Sequence, residues 1–425
     1  MKQRIVNLLW FAYFAVLLCW GVNAYMEFDR IFSSGLMFAF CADGKPYVSD
    51  FANHYNAAML AVQCFTDKSI DIYSLSTQSR SLESIISPVK PEQPFYMQYP
   101  PWFFVLISGL ANLNLNNAWW CWNIIGMIGL LIGFFIAGKS RLKTPFAWAV
   151  ALVALLSSYP CWASFRMGQT SLWLYPSLAL FFWCLERKRS YLAGLAMAAA
   201  LVKLQYSPFV IGVGILLGRL KFIAGVTSML ALLSLLAVWG VGLDNVMRFP
   251  QALIGHELGG GLKDSGVSGV APHMMQNLRG EIFLFDPGFS NIAMQIGLIA
   301  GLCLTIYIWL KSKNFDYSAA LTILLMLAFG PHTHTQDYVI ACLALLYLWP
   351  LCSDKTHPAY IAGKSRIVMK ILLLGFPALS WIFSLFHPVF AQFLIQPYLL
   401  WAISLITVSL FSLGRELQDK QSEKQ

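Results

Sequence analysis

Apolar stretches of roughly 15–22 residues recur almost end to end along the chain, separated by short polar segments. They fall near residues 6–26, 118–137, 145–162, 170–185, 191–202, 207–217, 222–243, 291–310, 317–330, 338–352, 367–386 and 390–413, and predict about twelve membrane-spanning helices. The first, Val6–Met26, follows Lys2 and Arg4 and is longer than the core of a cleaved signal peptide, so it reads as a retained anchor. Pro100–Leu113 breaks the alternation if it crosses, so it is expected to be a juxtamembrane or re-entrant helix opened by Pro100-Pro101.

Basic clusters sort the connecting segments. Lys2/Arg4, Lys139/Arg141/Lys143, Arg187/Lys188/Arg189, Arg219/Lys221, Lys311/Lys313, Lys364/Arg366 and the tail from Arg415 all fall on one side, which the positive-inside bias makes cytoplasmic, as are both termini. The expected organisation is a transmembrane domain over 1–413 and a polar cytoplasmic tail over 414–425. Two long external loops lie at 27–99, with amphipathic helices, and 244–290. Short external turns fall near 164–169, 203–205, 331–337 and His387. The Gly-rich run at 259–261 is either a substrate lid or a plain linker.

Composition agrees: 58% of residues are apolar and 12% charged, against about 25% charged in a soluble domain, which excludes a soluble enzyme. The net charge of +9 lies in the topology clusters, so no nucleic-acid partner is expected. Seven of nine cysteines fall in or beside apolar spans, leaving Cys41 and Cys64 in the first external loop as either one bridge or two free thiols. Gly133 to Ser140 matches the phosphate-loop string, but at the apolar end of a membrane helix it is accidental.

Polar chemistry concentrates at external helix ends. Asp50 opens a short amphipathic helix with His54 and Tyr55; it is either a helix cap or a general base at the membrane surface. Tyr99-Pro100-Pro101, Arg166-Met167-Gly168-Gln169 and Lys203-Leu204-Gln205 follow. Arg166 and Lys203 are the basic residues of the short external turns, against the positive-inside bias, and point to an anion such as a lipid phosphate or to snorkelling. The run Pro331 to Tyr338 carries His332, His334 and Asp337, suited to orienting a sugar or phosphate or to capping a helix. With no third ligand evident beside the His-x-His pair, no metal is expected. His273, in the second long loop, is a weaker candidate.

This ordered set resembles glycosyltransferase family 87, the polyprenyl-phosphate-mannose-dependent mannosyltransferases of the GT-C class, over most of the chain. Asp50-Phe51 with Tyr55 and Ala57-Ala58 is similar to the family's first-loop acid motif, Tyr99-Pro100-Pro101 to its Tyr-x-Pro motif, and Gly168-Gln169 to its Gly-Gln motif. Lys203 resembles its Lys-Pro motif, although the proline comes only at Pro208, and Pro331 to Tyr338 resembles its late polar motif with Asp337 as an approximate match.

The resemblance implies an all-α GT-C fold, an active site on the external face of a bacterial inner membrane, and an inverting mechanism without metal or cofactor. The implied donor is a polyprenyl-phosphate sugar, with mannose the default, and the acceptor a lipid or glycan. Asp50 would be the base; Arg166, Gln169, Lys203, Gln205, His332, His334 and Asp337 would hold donor phosphate and sugar; His54, Tyr55, Tyr99 and His273 would line the acceptor side. Alternatives are a polysaccharide polymerase or ligase, in which external Arg248 and Arg279 would act, a transporter with a mid-membrane site, and an assembly scaffold.

Overall fold

The computed structural model describes residues 2–32, 39–40, 46–47, 50–87, 97–258, 274–312, 314–357 and 359–422. Apart from a hairpin of two-residue strands, Ala39–Phe40 and Pro46–Tyr47, the described chain is helical. Its α-helices are α1 (Lys2–Phe32), α2 (Asp50–Thr66), α3 (Leu75–Ile86), α4 (Pro101–Ile107), α5 (Leu115–Gly138), α6 (Pro145–Ser157), α7 (Tyr159–Met167), α8 (Ser171–Glu186) and α9 (Ser190–Ala200). There follow α10 (Ser207–Val241), α11 (Leu243–Leu258), α12 (Leu278–Phe285), α13 (Ser290–Lys311), α14 (Phe315–Phe329), α15 (Ala341–Ser353), α16 (Gly363–Leu385), α17 (His387–Gln392) and α18 (Pro397–Ser422).

The protein is an integral membrane protein, but the expected count of about twelve spans is not reached by length and composition. Among the described residues five helices are long and apolar enough to cross, or six if the bent pair α6–α7 is one span, with four shorter apolar helices besides. The shortfall has local causes. Gly138 and the start of α9 are followed or preceded by tight turns, and several apolar stretches give helices of 11–16 residues, shorter than the roughly 20 that a bilayer core requires. The α6–α7 pair bends by 53° at Ser158. Groups freed there are taken up by α16, since Tyr159 N–H donates to Ser380 Oγ at 3.0 Å and Trp381 Nε1 to the Ser157 carbonyl at 2.8 Å.

A straight α10 of 35 residues would be about 52 Å long, well beyond a hydrocarbon core of about 30 Å. The backbone breaks at Arg219, with φ 46°, and a Cβ on Gly214 would lie 2.2 Å from the Phe222 ring, so the chain doubles back between them. This places a turn at Arg219/Lys221, between the two expected spans 207–217 and 222–243. The segment expected to be re-entrant is α4 plus a 3-10 turn, Ser108–Asn112; its twelve residues reach only about 20 Å and its aromatic face is buried.

The centre of the protein is α14, buried continuously from Tyr317 to Ala328, with α15 beside it. Helices α5, α10 and α13 expose Ile128, Ile132, Leu232, Leu235, Ile296 and Ile299, the apolar outer surface that lipid requires. The phosphate-loop string is helix packing: a Cβ on Gly133 would lie 2.7 Å from Pro176 Cα, and one on Gly138 2.8 Å from the Trp148 ring. Arg141 does more than mark topology. Buried, it pairs with Asp316 and Glu186 and stacks 4.0 Å over the Tyr347 ring, fastening the C-terminal ends of α5 and α8 to the N-terminal end of α14. The opposite ends of α8 and α14 therefore share the other face of the helix layer.

Candidate active site

On that other face four chain segments meet: the first turn of α2, residues 168–171 between α7 and α8, a 3-10 turn over Leu201–Tyr206, and a 3-10 turn over Thr335–Ile340. Gly168 is the hinge of the assembly. It ends α7 in the left-handed region with φ 64°, and a Cβ there would stand 2.7 Å from Phe51 Cβ. Its carbonyl accepts from Trp122 Nε1 at 2.8 Å. Glycine is thus required twice over, for the turn and for the close approach of α2. That approach lets Gln169 Nε2 donate to Asp50 Oδ2. The described contact of the Asp50 carboxylate is therefore across the site and not within its own helix.

Lys203 enters from a break in the 3-10 turn, where its own backbone leaves helical geometry at φ −111° and ψ 80°. The kink that the delayed proline left open is made at Lys203 itself, with Pro208 in the first turn of α10. The Lys203 ammonium pairs with Asp337 Oδ1 and donates to Ser171 Oγ at 2.9 Å, while Ser171 donates to the same carboxylate oxygen at 2.6 Å. Asp337 Oδ2 accepts the His334 backbone N–H at 3.1 Å. Both ions are buried, which is tolerable because each is paired and hydrogen-bonded.

Asp50, in contrast, is half-buried. Desolvation raises its pKa to about 6; Lys203 lowers it and Asp337 raises it. His54, one turn along α2, is fully enclosed and pushed down to about 3 by desolvation first and by Lys203 second, so it is neutral at physiological pH. It faces the Gly168 carbonyl and packs against Tyr99, Phe103 and Trp122. Tyr99 is held by its carbonyl, which accepts from Tyr73 Oη at 2.8 Å, and by Gln78, whose side chain bonds Met97 at both backbone N–H and C=O. Its hydroxyl stands 3.5 Å from Thr170 Oγ1 and is pushed up by burial, with Asp50 and Asp337 adding to the shift.

The remaining expected residues lie at the margins or elsewhere. Arg166 stacks 4.9 Å over the Trp162 ring, and Gln205 is half-buried on the Lys203 turn. His332 and His334 pack edge to face at 4.4 Å, with His334 Nδ1 3.3 Å from the Met274 carbonyl. Tyr55 donates to the Leu113 carbonyl at 2.7 Å, tying α2 to the end of the α4 segment. His273 and Cys41 lie outside the described residues; Cys64 is a buried thiol. Arg248 pairs with Asp71, and Arg279 is buried with Asn291 Oδ1 and the Pro331 carbonyl as partners, so neither is seen joining the Asp50 cluster.

Sequence reasoning missed Ser171, the residue that joins Lys203 to Asp337. It also missed Ser164, whose hydroxyl donates to the Gln336 carbonyl at 2.9 Å and draws the two turns together. Serines near helix ends carry no distinguishing pattern; proximity to Gly168-Gln169 was the one available signal.

The model of glycosyltransferase family 87 matches residues 96–331, more than half of the chain. The match takes in Tyr99, Gly168-Gln169 and Lys203; Asp50 and Asp337 lie outside it. No curated protein matches the chain.

Proposed function

Because the chain belongs to glycosyltransferase family 87 and is a membrane glycosyltransferase, we propose that it moves a sugar, mannose in the first instance, from a polyprenyl-phosphate donor to a hydroxyl of a lipid or glycan acceptor. The reaction is assigned to the external face of a bacterial inner membrane, with both termini cytoplasmic, on the distribution of basic clusters.

The observation that carries this reading is a half-buried carboxylate with a pKa raised to about 6, beside a buried Lys203–Asp337 pair. Asp50 takes the proton of the acceptor hydroxyl as its oxygen attacks the anomeric carbon. The bond from that carbon to the donor phosphate oxygen breaks on the opposite side, and the electron pair leaves with the polyprenyl phosphate, inverting the centre.

Positive charge near the leaving group stabilises the developing phosphate charge. An ammonium has three N–H donors, and the described partners of Lys203, Ser171 and Asp337, use two. The third is assigned to a phosphate oxygen, with Arg166 at the rim as a second cation. Gln205, His332 and His334 are assigned to the donor sugar, His54 and Tyr99 to the wall facing the acceptor. Gln169 holds Asp50 in place through its hydrogen bond.

The test is consumption of a panel of polyprenyl-phosphate sugars by purified protein supplied with membrane lipid extract. One sugar should be transferred, and transfer should vanish with Asp50→Asn. Sugar transfer from a nucleotide donor but from none of the polyprenyl phosphates would overturn the donor assignment.

A further inference from the structure

From the end of the helix layer where Arg141 meets Asp316, α1, α5, α6, α8, α15 and α16 flank a half-open cavity of about 630 Å3 that runs inward as far as Tyr175 and Cys342. Its walls include Trp10, Phe146, Ala151, Trp349 and Pro377. Along α6 it runs from Thr144 to Leu155, eleven residues or roughly 16 Å, about half of a 30 Å hydrocarbon core. The space therefore has the depth of one leaflet.

Its medium selects the occupant. Water is held in a cavity only where several polar groups can bond it, whereas these walls are mostly aromatic and aliphatic. A void left between α1 and α6 would forfeit dispersion contacts that a hydrocarbon chain restores. Among the described residues α1 is anchored here by Tyr13 Oη, which donates to the Leu374 carbonyl at 2.6 Å, and by Trp10, which packs edge-on against Phe146 and Trp349.

The rim adds a sign. Lys139 and Lys143 are exposed on the turn between α5 and α6, and Lys364 is exposed at the start of α16, with Lys370 one turn before the lining residues Leu373 and Leu374. Lys143 has Asp354 as a partner, which leaves the rim positive overall. Such a rim attracts anionic headgroups in preference to zwitterionic ones.

We propose that this cavity binds an acyl chain of an anionic glycerophospholipid from the leaflet opposite the Asp50 site, its headgroup phosphate resting against Lys139 and Lys143. The lipid acts as a wedge that seats α1 on α6 and α16. The inference rests on the membrane frame and is independent of the donor, acceptor and base assigned above.

The experiment is native mass spectrometry of the full chain in detergent, titrated with phosphatidylglycerol or phosphatidylcholine and without any sugar donor, with the melting temperature read in parallel. Phosphatidylglycerol should bind at least tenfold more tightly and raise the melting temperature. Ala151→Phe, which fills the cavity, should lose the tight lipid. Lys139→Gln/Lys143→Gln keeps the cavity and should lose the preference for the anionic headgroup; it carries the test should the filled variant fail to fold. Equal binding of both lipids by the parent, unchanged preference in the lysine variant, or displacement of phosphatidylglycerol by a free polyprenyl phosphate would each overturn the proposal.

Discussion

Replacing Asp50 by Asn removes one proton-accepting group while keeping size, shape and the ability to accept from Gln169 Nε2. With a pKa of about 6, the carboxylate is charged over neutral by about tenfold at pH 7. Transfer at limiting donor should therefore be half-maximal near pH 6 and fall about tenfold per pH unit below it. Loss of the base should reduce turnover by about 100-fold or more. Stability should move the other way. Because the folded pKa lies above the unfolded value of about 3.9, the stabilisation linked to this group is present below about pH 4 and lost as pH rises through about 6. Asn resembles the protonated form, so at pH 8 the variant should melt at or above the parental temperature. A mere helix cap would instead lose up to about 1 kcal/mol and keep its turnover. The assay is initial transfer rate between about pH 4.5 and 8.5 at limiting and at saturating polyprenyl-phosphate sugar, beside melting by tryptophan fluorescence. His54, already neutral above about pH 3, supplies the control, since His54→Gln should leave the acid limb in place. Near-parental transfer by Asp50→Asn, or an acid limb that moves with His54 and not with Asp50, refutes the assignment.

Further outcomes follow from the same geometry. Lys203→Met leaves Asp337 buried without its cation and should destabilise the protein by about 3–5 kcal/mol, with Lys203→Met/Asp337→Asn recovering much of the loss in a double-mutant cycle read by thermal unfolding. Gly168→Ala should abolish most transfer by pushing α2 away, and Phe51→Ala should not rescue it, because the clash is with Phe51 Cβ, which alanine retains; initial rates of the single and double variants decide this. Arg166→Ala should raise the KM for the lipid donor with little change in melting temperature, and an unchanged KM removes Arg166 from the phosphate site. Ser171→Ala removes the hydroxyl that joins Lys203 and Asp337 and should cost about 1–3 kcal/mol in thermal unfolding.

The apolar runs and basic clusters determined by themselves that this is a helical membrane protein, because a bilayer demands long apolar segments and permits charge chiefly at their ends. They also marked the break at Arg219/Lys221 and the short helix opened by Pro100-Pro101. Certain helix ends stood out as polar exceptions, which is why Asp50, Gln169, Lys203 and Asp337 were legible as a set. Their distribution between roles was decided only in three dimensions. Lys203 reads in sequence as a lone cation awaiting an anion, yet Asp337, 134 residues further on, folds onto it and pairs with it. Gly168 reads as a motif letter, and its meaning appears only when Phe51, far earlier in the chain, packs where a Cβ would be. Arg141 looks like one more topology signal until α14 brings Asp316 beside it. Hydropathy is a local property, summed over neighbours along the chain, so sequence reports it directly. Pairing, burial and the resulting pKa of Asp50 depend on which distant segments share a low-dielectric space, and only the packing of the helices decides that.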